Sequence, residues 1–265
     1  ATSQAVVEET VSAYPLAATA WELQFIGEPE ERLPMLPNTR ATVVYFWDRY
    51  TGFDGCGWFL GVYGADAEGV LRMNTPAKTP HYCAEPPGLE TQASTYMSAL
   101  LNVTEYEIEE EQLTAYTVDD QRMLTFDPEK PVPILGPRWE LKFWWHTEDE
   151  RWLPVAPAVT SSITFAEGGE ASGSGGCNEY TVSYEGDLQI EMVMASTPEN
   201  SELPALTFGQ IEASTAECAE PDGIMEQEDG FFALLDEVAY YFKMGGMTMM
   251  MDADFEPLLM FAAAS

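Results

Sequence analysis

Cys83-Ala84-Glu85-Pro86 returns as Cys218-Ala219-Glu220-Pro221, and that recurrence decides how the chain is built. From the cysteine onward the two stretches run in step without a gap to Phe126 and Phe261, which places Leu100 on Leu235, Val103 on Val238 and Tyr106 on Tyr241. Toward the amino terminus, Gly55-Cys56 matches Gly176-Cys177, and Trp21-Glu22-Leu23 matches Trp139-Glu140-Leu141. Self-similarity on this scale means two copies of one folding unit. The copies are expected at 17–130 and 139–265, with residues 1–16 outside both. The joining segment, 131–138, holds Pro131, Pro133 and Pro137, which neither continue a helix nor sit in a central strand.

The cysteines of the first copy are 27 residues apart and those of the second 41, so the second copy carries about fourteen extra residues near 197–210. A stretch such as Thr197-Pro198-Glu199-Asn200 is expected in a surface loop, and loops on rigid scaffolds often carry recognition. Leu203, Pro204, Leu206 and Phe208 are therefore the candidates for a partner-binding loop.

Each copy reads as mainly strand. Ala41-Thr42-Val43-Val44-Tyr45-Phe46-Trp47 and Ser161-Ser162-Ile163-Thr164-Phe165 are rich in β-branched and aromatic residues and are followed by glycines. Leu188–Met194 alternates at period two, as a strand with one buried face does. One segment per copy is different. Phe231, Leu234, Leu235 and Val238 fall at helical offsets within 226–238, as do Tyr96, Leu100 and Val103 in the first copy, so each copy carries one amphipathic helix.

The 265 residues, 46% of them hydrophobic, suffice for real cores. Eleven basic against 45 acidic residues give a net charge of −34, which repels phosphate backbones and anionic lipid headgroups. Nucleic-acid binding is not expected. Neither is a transmembrane segment, because no long apolar run occurs. A start of Ala1-Thr2-Ser3 is compatible with an exported chain that has lost its signal, and the reading is of an extracytoplasmic protein.

These features resemble the META domain family of bacterial envelope and heat-shock-associated proteins, which also has trypanosomatid relatives. The second copy carries the likeness best: Trp139 and Leu141 open it, Ser174-Gly175-Gly176-Cys177-Asn178 forms its turn, and Thr215-Ala216-Glu217-Cys218 its second cysteine segment. Met225-Glu226-Gln227-Glu228 begins the helix and Leu258-Leu259-Met260-Phe261 closes the domain. The first copy departs from it with Gly57 in place of the asparagine, so any role of Asn178 belongs to the second copy alone. The resemblance implies a mainly β (α+β) fold of two tandem cracked antiparallel β-barrels, each with one packed helix, and it implies no particular reaction.

Four cysteines at corresponding places are read most simply as one disulfide per copy, Cys56 to Cys83 and Cys177 to Cys218. The competing reading is a thiolate metal or redox site, but CxxC spacing and a neighbouring basic residue are missing. Met247, Met249 and Met251 share one strand face; core filling is expected of them, with copper(I) ligation as the minor alternative. Asp252, Asp254 and Glu256 lack the glycine and terminal ligand of a calcium loop, and read as a solvated turn. His81 and His146 each stand alone. Gly173–Gly176 lacks the following Lys-Ser/Thr of a phosphate loop and is expected to serve a tight turn.

No catalytic residue, metal or cofactor is assigned. The leading expectation is a non-enzymatic structural or interaction protein of the cell envelope or surface. Residues 1–16 are expected as an added strand on an open barrel edge, first on their own domain; the second reading docks them on a neighbour, which would carry self-assembly into a homo-oligomer or filament. The alternative is a ligand-binding or enzyme-inhibiting module that uses a barrel mouth or the 197–210 loop. A hydrolase with paired carboxylates is the weakest reading, because 45 acids make any close pair uninformative.

Overall fold

The computed structural model describes residues 16–79, 83, 85–117, 121–147, 149–156, 158–189 and 201–264. In the first copy these form β1 (Thr19–Ile26), β2 (Leu33–Pro34), β3 (Thr42–Phe46), β4 (Arg49–Phe53), β5 (Trp58–Ala65), β6 (Leu71–Met73) and β7 (Ala77–Lys78). After α1 (Leu89–Asn102) come β8 (Glu105–Glu109), β9 (Gln112–Tyr116) and β10 (Arg122–Pro128). The sheet runs β6-β5-β4-β3-β1-β10-β9-β8 with antiparallel neighbours, β2 pairing with β1 and β7 with β5. It curls until its ends meet: the Leu71 N–H donates to the Thr104 carbonyl at 2.8 Å and the Tyr106 N–H to that of Gly69 at 2.7 Å.

The second copy repeats this plan strand for strand. Its elements are β11 (Arg138–His146), β12 (Arg151–Pro154), β13 (Ser162–Ala166), β14 (Glu170–Ser174), β15 (Glu179–Glu185), β16 (Thr207–Phe208) and β17 (Glu212–Ala213). They are followed by α2 (Ile224–Glu237), β18 (Tyr240–Met244), β19 (Met247–Met251) and β20 (Pro257–Ala263). The order is β16-β15-β14-β13-β11-β20-β19-β18. The chain is thus two nearly closed antiparallel barrels with one helix each, the architecture that the resemblance implied.

Alternation explains which faces turn inward. Along β15, Tyr180, Val182 and Tyr184 are buried while Glu179, Thr181, Ser183 and Glu185 are exposed. A register shift between Leu23 and Phe25, repeated between Leu141 and Phe143, lets one strand serve two faces in each barrel. Gly173 is dictated by close approach, because a Cβ there would stand 1.9 Å from the Ser162 carbonyl oxygen of the adjacent strand. Both helices start after a glycine with positive φ, Gly88 and Gly223, and stop where Val103 and Val238 turn extended. Tyr96 and Leu100 on α1, and Phe231 and Leu235 on α2, are fully buried against the strands.

Part of the 197–210 stretch, expected as a surface loop, belongs to both copies: Phe208 pairs with Tyr184 as Met73 does with Tyr63, so 204–208 correspond to 69–73 and the extra residues precede them. The Leu206 N–H donates to the Ala239 carbonyl at 3.0 Å and the Tyr241 N–H to that of Pro204 at 3.2 Å, so 204–206 close the second barrel. The proline segment is packed as well: Ile134 is buried, and its carbonyl accepts the Trp139 Nε1–H at 2.9 Å. The expected strand at residues 1–16, all but its last residue, lies outside the described residues, as do His81, residues 190–194 of the strand expected at 188–194, and 197–200 of the insertion.

Candidate functional site

Two features hold the polar and sulfur chemistry of the chain: the cysteine turns and the seam between the barrels. Cys56–Cys83 and Cys177–Cys218 are disulfides, and the described residues contain no free cysteine. Each bond ties the β4–β5 or β14–β15 turn to the segment that leads into the helix.

The two turns are fixed by the same bonds from different residues. In the second barrel Glu228, on α2, is buried; it accepts the Cys177 N–H at 2.9 Å, the Asn178 N–H at 2.6 Å and the Asn178 Nδ2–H at 2.6 Å. In the first barrel the helix has Ala93 at that place, and Asp54 within the turn does the work. Its Oδ1 accepts the Cys56 N–H at 2.9 Å and the Gly57 N–H at 2.8 Å, and its Oδ2 pairs with Lys78 at 2.8 Å. Asp54 corresponds to Gly175, where a Cβ would lie 2.6 Å from Glu228 Oε2. One carboxylate fits under each turn, from the turn or from the helix.

Asn178 has a further role that Gly57 cannot fill. Its Oδ1 accepts Ser214 Oγ–H at 2.8 Å and the Ala216 N–H at 2.7 Å, while Nδ2 donates to the Ala216 carbonyl at 3.0 Å. The asparagine thus laces the first cysteine segment to the second. Of the turn residues read from the sequence, Gly175, Gly176, Cys177 and Asn178 all meet here; Glu228 enters the sequence reading only within the helix-opening motif and Asp54 not at all, because nothing in the sequence marks either as the partner of a turn.

The seam forms between the outer face of β3–β5 on the first barrel and that of β18–β20 on the second. Val44, Phe46, Trp47 and Leu60 meet Phe242, Met247, Met249, Met251 and Met260 there, all nearly devoid of solvent contact. Trp47 stands edge-on to Phe242 with ring centroids 4.9 Å apart, and Thr51 Oγ lies 3.1 Å from Met260 Sδ. The three methionines at period two do fill a core, but it is the core between the barrels; Met250, pointing the other way, belongs to the interior of the second barrel. Thioethers suit this place because flexible side chains fill the irregular gap between two curved sheets.

The rim of the seam is polar. Glu129, buried at the end of the first barrel, pairs with Arg40 and takes the backbone N–H of Gly246 in the β18–β19 turn. Burial lifts its pKa above the usual carboxylate value, against the opposing pull of Arg40. Lys243 nearby is lowered by burial, with Glu129 pulling it back up. The Val132 N–H donates to the Gly245 carbonyl at 3.0 Å, and Trp47 Nε1–H reaches Ser201 Oγ at 3.4 Å.

The candidate partner-loop residues are dispersed over the second barrel. Leu203 packs on the seam, Pro204 and Leu206 are buried, and Phe208 stacks on Phe165 at 6.2 Å. Asp252 caps its own turn, accepting the N–H groups of Asp254 and Glu256 at 2.9 and 2.8 Å. His146 faces Asp149 at 3.4 Å. Among the described residues no three His, Cys, Asp or Glu converge as a metal cage, and no helix is long and apolar enough to cross a membrane.

The model of the META domain family matches residues 14–130 and again 133–265. A comparison with curated proteins finds no match. Among solved structures, the chain is similar to an NMR structure of a protein from Burkholderia xenovorans, at 19% identity over 49% of this chain and 96% of that one, TM-score 0.38. It is also similar to the crystal structure of a DUF4847 family protein from Bacteroides vulgatus, at 16% identity over 46% of this chain and 96% of that one, TM-score 0.32.

Proposed function

The chain belongs to the META domain family, with two domains in tandem, and we propose that it acts as a non-enzymatic, extracytoplasmic structural or interaction protein. The carrying observation is where its chemistry is engaged. The buried acids Asp54, Glu129 and Glu228 each hold backbone N–H groups or a basic side chain, so their role is to fix turns and the seam. Two disulfides and a strongly acidic chain suit a scaffold exposed to an oxidising, aqueous exterior. Self-assembly, where it occurs, would use residues 1–16. Thiol labelling of fractionated cells tests the location: protected cysteines in the envelope or medium are expected, and reactive cysteines on a cytoplasmic protein would contradict it. Deletion of residues 1–14 tests assembly, which should then fall to the single chain; an unchanged assembly state rules that route out.

A second reading is ligand capture. It draws support from an open groove of about 550 Å³ beside α1, with Ile26, Ala99 and Met123 as apolar lining and hydroxyls from Thr91 and Ser94 around it. Native mass spectrometry of freshly purified protein would show a copurifying small molecule on this reading, and the bare chain mass on the first.

A further inference from the structure

The seam is a head-to-tail joint between copies of one domain, so each of its two surfaces exists a second time on the molecule. The first barrel has its own β8–β10 face and the second its own β13–β15 face, and both lie outside the seam. Sheets joined head to tail through non-identical faces extend without limit unless something stops them.

On the β8–β10 face the gapless correspondence puts Glu105 where the seam has Tyr240, Glu107 where it has Phe242, Glu109 where it has Met244, and Gln112 where it has Met247. Thr114 and Thr125 stand for Met249 and Met260, and lie beneath a polar cover in which Gln112 bonds Asp127 at 3.1 Å and Tyr116 bonds Glu107 at 3.3 Å. On the β13–β15 face the strand register puts Thr164 for Val44, Ala166 for Phe46, Thr181 for Leu60 and Glu179 for Trp58; Glu167 follows where Trp47 would be. All but Thr164 are exposed. Most large apolar contacts of the seam have been replaced; Phe143 keeps a counterpart in Phe25, which Arg32 covers at 4.1 Å from the ring centroid, and Met251 has Tyr116. Each free face presents carboxylates to the other.

We infer that these two faces are terminators: they present the backbone surface of the joint with side chains that refuse a second copy of the chain, so the array of barrels ends at two. Bringing the faces together would bury Glu105 and Glu107 against Glu167 and Glu179, four carboxylates against Arg138 beside Thr164 and Arg32 over Phe25, and desolvation with net like-charge repulsion opposes that. Polymerisation through the amino-terminal segment is a separate route and is untouched by this inference.

The test restores the seam residues one face at a time in the full chain. One variant carries Glu105→Tyr, Glu107→Phe, Gln112→Met, Thr114→Met and Thr125→Met; the other carries Thr164→Val, Ala166→Phe, Glu167→Trp, Glu179→Trp and Thr181→Leu. Sedimentation of an equimolar mixture should show association beyond that of either variant or the wild type, with paired complexes of twice the single mass. Failure of two cooperatively folded variants to associate would overturn the inference. Carboxylate crosslinking of the wild type gives an independent check that needs no variant. Crosslinks between chains joining Glu105–Glu109 to Glu167–Glu179 would overturn the inference, and their absence is expected.

Discussion

At the scale of single residues, the two barrels solve the same local problem with different side chains. The carboxylate under the cysteine turn comes from Asp54 in one and Glu228 in the other. The hydroxyl on the β3 or β13 carbonyl likewise comes from Tyr96 on the helix in one, at 3.1 Å from the Thr42 oxygen, and from Tyr180 on the sheet in the other, at 3.0 Å from that of Ser162. Such exchanges conserve the bond while hiding the residue from repeat matching. That is why the glycines, cysteines and Asn178 were legible in the sequence and the acids that hold them were not. Glu228→Ala should cost about 2 to 5 kcal/mol, because three donors lose a buried charged partner. Adding Gly175→Asp and Ala213→Lys, the arrangement of the first barrel, should return part of that loss, whereas Gly175→Asp alone should destabilise; denaturant unfolding checks all three, and additivity would refute the exchange. Glu129, faced by Arg40, Lys243 and Glu22, makes a pH prediction. Its pKa is raised on folding, so its contribution is fully present below the ordinary carboxylate pKa and is lost as pH rises through the raised value. The melting temperature of the wild type minus that of Glu129→Gln should therefore be greatest in acid and decline toward neutrality, and a constant difference would contradict it.

At the scale of elements, the β18–β20 unit shows what pattern reading sees and what it misses. Period two correctly gathered Met247, Met249 and Met251 on one face, but alternation cannot say whether an apolar face looks into its own barrel or onto another. The corresponding face of the first copy answers this in retrospect: it is acidic over β8, and only a face covered by a second body needs to be apolar on both sides. The bounds of the insertion were misleading for a related reason, since composition reads all of 197–210 as loop while 204–208 are the counterpart of 69–73 and close the second barrel as β6 closes the first. Met249→Thr, the residue of the corresponding position 114, should destabilise by about 2 to 4 kcal/mol through lost packing, and chemical denaturation should report it without a change of secondary structure. Replacing Cys177 and Cys218 by serine should cost about 4 kcal/mol, the chain-entropy value for closing a loop of this length; a loss below about 1 kcal/mol would mean that the turn network alone holds the barrel.

For the whole molecule, two opposing terms set stability. The seam joins the barrels through a dry apolar layer and a polar rim, while a net charge of −34 pushes the structure apart. Added monovalent salt screens that repulsion, with a Debye length of about 10 Å at 0.1 M, so melting temperature should rise with ionic strength; a flat response would mean that bound cations already neutralise the surface. The tandem was plain from the repeat, but the joint was not, because the seam depends on which faces of two similar barrels meet. That the barrels behave as one body through this seam is tested most directly by scanning calorimetry of the wild type and of Phe242→Glu, which carries the residue of corresponding position 107. One two-state transition for the wild type that divides into two in the variant is the expected result. Two independent transitions in the wild type, or a single unshifted one in the variant, would contradict it.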